Sequence, residues 1–64
     1  MKFEDLVKVL DPNTHVEIFE TSNRIVERTV FTGKLANLKT YPEYVMRVVP
    51  QSTSREVYLE IYVY

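Results

Sequence analysis

Cysteine is absent from this chain, histidine and glycine occur once each, and no long apolar run interrupts its 64 residues. Without cysteine there can be no disulfide, no thiolate ligand for zinc or an iron–sulfur cluster, and no cysteine nucleophile. His15 stands alone, so no histidine pair is available to a metal. A single glycine, Gly33, closes the option of a glycine-rich loop that cradles phosphate ahead of a helix. The opening "MKFEDLVKVL" has neither an uninterrupted apolar segment nor a small-residue cleavage site, and no stretch is long enough to span a bilayer. No Asn-x-Ser/Thr acceptor is present. These absences together predict a cytoplasmic protein.

Excess charge is missing too. Eight Lys/Arg against nine Asp/Glu leave a formal charge of −1, which provides no field for nonspecific attraction to nucleic acid or anionic lipid. The distribution is mildly polar: residues 1–20 hold two basic and five acidic groups, and residues 21–64 hold six basic and four acidic. A chain of 64 residues makes one domain, 1–64, and buries only about 60% of the surface its unfolded form exposes. Its stability margin is therefore thin. With disulfides and metal set aside, oligomerisation is the remaining reinforcement, and an apolar fraction of 45% can supply a contact surface.

What is present is periodicity. Phe3, Leu6, Val7 and Leu10 recur at helical spacing, with Glu4 and Asp5 in the first turn and Lys8 near the end, as the helix dipole favours. Pro12 disfavours helical geometry at Asp11, so "DPNT" ends this helix in a turn. Beyond it the period changes to two. "HVEIFE" puts Val16 and Ile18 on one face and His15, Glu17 and Phe19 on the other, and "TSN" reads as a turn. "RIVERTVFTG" is a second strand of imperfect alternation, explained either by two partly covered faces or by a bulge. Gly33 marks a bend or a positive-φ site. "KLANLKTYPE" suits one helical turn or a short crossing strand, "YVMRVV" is a strand, "PQSTS" a polar loop, and "REVYLEIYVY" the longest and cleanest strand. The fold class predicted is α+β: a short N-terminal helix, then a sheet of four or five antiparallel strands, strongly curved or closed into an SH3-like partial barrel.

The last strand carries the candidate site. Val57, Leu59, Ile61 and Val63 form an apolar face, while Tyr58, Glu60, Tyr62 and Tyr64 alternate on the other. No nucleophile and base are displayed as a pair, and alternating strand glutamates ordinarily form the wet face of a sheet, so no catalytic residue, metal ligand or cofactor is assigned. Tyrosine is a good strand former that covers half-buried sheet surface while its hydroxyl stays wet, which explains much of the pattern. A tyrosine-rich patch is also the composition of an interface core, and a final strand at a sheet edge would offer backbone groups for pairing. Tyr58, Glu60, Tyr62 and Tyr64 are accordingly the predicted contact residues of a homo-oligomer or of a complex with a host protein. The alternative is a single-stranded nucleic-acid platform, with Tyr58 and Tyr62 stacking bases and Arg47 and Arg55 on phosphates. Glu56 and Glu60 oppose that use by charge.

The succession "FEDLVKVLDPNTHVEIFE", "FTGKLANL" and "VYLEIYV" resembles the short proteins encoded in prophages and mobile elements of gut Firmicutes. Their pattern is a helix ending in a Leu-Asp turn, a V-x-I strand, a G-x-L-x-x-L segment and an alternating last strand. The resemblance implies a phage or mobile-element origin, a bacterial cytoplasm and a non-enzymatic accessory role, such as inhibition of a host defence system. It assigns no site residues.

Overall fold

The computed structural model describes residues 1–23 and 25–64. Helix α1 (Phe3–Val9) is followed by strands β1 (His15–Ser22) and β2 (Ile25–Lys34), a single 3-10 turn (Leu35–Asn37), and strands β3 (Val45–Ser52) and β4 (Val57–Val63). Seven residues make an unstable helix in isolation, so α1 depends on what it docks against. Phe3 and Leu6 are buried in the core with Val16, Ile18, Leu35, Val45, Ile61 and Val63, and Val7 and Leu10 pack at its margin. Backbone bonds tether the helix start to the entry of β3: the Phe3 N–H donates to the Glu43 carbonyl at 3.0 Å, and the Val45 N–H to the Met1 carbonyl at 2.8 Å. After the helix, the Asp11 carboxylate accepts the Asn13 N–H at 2.7 Å, which builds the expected turn. The same turn offers the Pro12 and Thr14 carbonyls to the Ala36 and Leu35 N–H groups, each at 2.9 Å, and so seats the 3-10 turn against the core.

The four strands form one sheet in the order β2-β1-β4-β3. β1–β2 and β3–β4 are antiparallel hairpins, but β1 and β4 lie side by side in parallel. The sheet is therefore mixed and open, which corrects the expectation of an antiparallel, strongly curved or barrel-like sheet. Short loops impose antiparallel pairing only within each hairpin. Residues 35–44 link the hairpins, long enough to carry the chain from one edge of the sheet to the other, and buried Leu35 pins that crossing into the core. β4 consequently lies in the middle, with its backbone paired on both sides. The proposed use of the last strand as a free edge does not survive this topology.

Several boundaries also move. Thr21 and Ser22 belong to β1, and the turn contains Asn23 in the left-handed conformation, φ 52°. Arg24, read from the sequence as the start of the second strand, lies outside the described residues. Pro50, Gln51 and Ser52 continue β3, so the polar loop is shorter than expected, and Arg55 and Glu56 belong to the turn before β4. β2, with 10 residues, is the longest strand. Its broken alternation comes from bulges. Ile18 faces Phe31 while Phe19 faces Thr29, which leaves Val30 extra, and the next slip leaves Glu27 extra. Segment 35–37 is the helical turn of the two alternatives considered.

Helix and 3-10 turn cover one face of the sheet; among the described residues no element lies on the opposite face. The chain exposes 4671 Å², against about 4,300 Å² for an average folded protein of its mass. That excess is what an uncovered sheet face predicts.

Candidate binding face

The uncovered face is built by the alternate residues of all four strands. β1 contributes His15, Glu17 and Phe19; β4 contributes Tyr58, Glu60 and Tyr62. Because these two strands run parallel, their registers align like with like: Glu17 lies beside Glu60 and Phe19 beside Tyr62. The Phe19 and Tyr62 rings stack with centroids 5.3 Å apart and planes at 29°. The His15 ring meets Tyr58 edge-on at 6.1 Å and 74°. Two aromatic pairs thus bracket a pair of carboxylates.

β3 completes the row. Arg47, registered with Tyr62, places its guanidinium carbon 4.5 Å from that ring's centroid. Phe19 and Arg47 approach from the strands on either side of β4, so Tyr62 is held between a ring and a cation. Glu60 Oε1 accepts a hydrogen bond from Gln51 Nε2 at 2.9 Å and another from the Tyr62 hydroxyl at 3.4 Å. Desolvation raises the Tyr58 phenol above its ordinary value, and the carboxylates of Glu17, Glu60 and Glu56 push it the same way. Tyr58 is neutral at physiological pH, a hydroxyl donor on an acidic strip.

The predicted contact residues are only partly assembled. Tyr58, Glu60 and Tyr62 share the face, whereas Tyr64 follows the end of β4, 73% exposed, in a depression with Val30, Tyr41 and Pro42. Of the two arginines of the nucleic-acid alternative, Arg47 is on the face and Arg55 is exposed in the 53–56 turn. Thr53 Oγ1 organises that turn by accepting the N–H groups of Arg55 and Glu56 at 3.2 and 3.1 Å. His15, Glu17 and Phe19 were legible as one face of β1, but nothing local to "HVEIFE" shows that this face continues the tyrosine row. Only the parallel register does.

Among the described residues no three His, Cys, Asp or Glu side chains gather in a metal-binding group. Nor is any described helix long and apolar enough to cross a membrane. Compared with protein-family models, curated proteins and solved structures, the chain has no match.

Proposed function

We propose that this protein is a small non-enzymatic binding module that engages another protein chain through the uncovered face of its sheet. The observation that carries this reading is the continuous row Phe19–Tyr62–Arg47, with Tyr58 and His15 beside it, on a face that no element among the described residues covers. Aromatic residues and arginine are the groups enriched at protein interfaces, and here they are held in place by one another before any partner arrives. The bland reading, tyrosine as mere sheet cover, leaves unexplained why rings and a cation are stacked across three strands. On the resemblance noted above, the partner is taken to be a host protein.

A different chain suits the face better than a second copy. Two faces packed centre to centre about a two-fold axis would bring four carboxylates together, a costly arrangement. Nucleic acid gains little: both sides of Tyr62 are occupied by Phe19 and Arg47, so no base can lie flat on it, and the carboxylate pair repels phosphate.

Selection of random peptides displayed on phage tests the reading. Peptides enriched on the wild-type protein should lose binding to the Tyr58→Ser/Tyr62→Ser variant, whose retained fold is checked by circular dichroism. Enrichment indifferent to these substitutions, or none at all, would overturn the proposal.

A further inference from the structure

The centre of the face holds a charge arrangement that the fold itself leaves unresolved. Glu17 and Glu60 are register neighbours on adjacent strands, about 4.8 Å apart in the backbone, and like charges so placed repel. Gln51 and Tyr62 satisfy one oxygen of Glu60. Among the described residues, no hydrogen bond or ion pair reaches its second oxygen or either oxygen of Glu17. Arg47, the nearest cation on β3, is turned onto the Tyr62 ring and makes no salt bridge with this pair. The rings therefore already seat one guanidinium, and the carboxylates beside them make no ion pair among the described residues, although Lys34 of β2, registered with His15, lies one diagonal step from Glu17.

We infer that the partner presents an arginine side chain to this face, its guanidinium forked across Glu17 and Glu60 between the Phe19–Tyr62 and His15–Tyr58 ring pairs. Guanidinium is favoured over ammonium because it is planar, offers parallel N–H donors to two carboxylates at once, and packs against aromatic rings. Its charge also relieves the repulsion between the two glutamates. The inference rests on the binding role proposed above and names the chemistry of the partner's contact.

Two measurements keep the failures apart. Among peptides selected on the face, replacing arginine by neutral, isosteric citrulline should weaken binding about tenfold or more, and Glu17→Gln/Glu60→Gln should abolish that difference. Face-dependent peptides that bind equally well with citrulline would overturn the arginine contact while leaving the binding module standing. Independently of any selection, nuclear magnetic resonance titration with an acetylated Gly-Gly-Arg-Gly-Gly amide should move the Glu17, Glu60 and Tyr58 side-chain signals and saturate. The citrulline peptide, or the double glutamine variant, should produce no such shift. Absence of a saturating shift with the arginine peptide, or its persistence in the double variant, would overturn the inference even if the module binds proteins.

Discussion

Gly33 sits at φ +145°, in a region that side-chain-bearing residues rarely adopt, and an added Cβ there would meet the Phe31 ring at 3.4 Å. That is an ordinary van der Waals contact with a ring packed against the core, so the cost of a side chain here lies in the backbone conformation rather than in a clash. Gly33→Ala should cost about 1–3 kcal/mol, read as a lower urea midpoint with an unchanged m value. An unaltered midpoint would mean that β2 relaxes freely at this site. Thr21 shows the opposite case, a buried polar group fully served: its hydroxyl donates to the Val63 carbonyl at 2.8 Å, continuing the β1–β4 contact past the end of the backbone ladder.

At the scale of the element, α1 is held by burial more than by its own helicity. Phe3 is fully buried, and Phe3→Ala removes its largest anchor at a cost of about 3–5 kcal/mol. A chain of this length has only about 3–10 kcal/mol in total. The variant should therefore show α1 amides exchanging with solvent far faster than those of β1 and β4, together with a sharply lowered melting temperature; protected α1 amides would contradict this account. The edge strands show a different economy. β2 is interrupted by bulges at Glu27 and Val30, and β3 carries Pro50 in its ladder and a further register slip at Met46. Such features blunt an edge against pairing with another strand. Association through the edges is disfavoured, in keeping with the proposal that the open face makes the contact.

For the whole molecule, the extents of 32 × 24 × 17 Å describe a thin two-layer slab, one layer being the sheet and the other α1 with the 3-10 turn. Blunted edges and a carboxylate-centred face both oppose self-pairing. Light scattering over a range of concentrations should return the monomer mass of 7.6 kDa, and a stable dimer abolished by Tyr58→Ser/Tyr62→Ser would show instead that a second copy is the occupant of the face. The thin stability margin then belongs to the monomer itself, and a bound partner would raise its melting temperature by mass action.

Local patterning in the chain was sufficient for the elements. The helical stripe Phe3–Leu6–Val7–Leu10, the alternation in β1 and β4, the positive-φ site at Gly33 and the broken register of β2 all follow from side-chain spacing and backbone sterics, which act over a few residues. Strand ends were less legible, because Pro50–Ser52 and Thr21–Ser22 take strand geometry from the neighbours they pair with, against their own turn-forming composition. Tertiary structure alone decided the strand order. Parallel pairing of β1 with β4 joins residues more than forty positions apart, and no local signal encodes it. That pairing moved β4 from a supposed edge to the centre, stacked Phe19 on Tyr62, and set Glu17 beside Glu60. The tyrosines were visible in the sequence as a face; the rings and carboxylates that make it a candidate site came from the strand laid beside it.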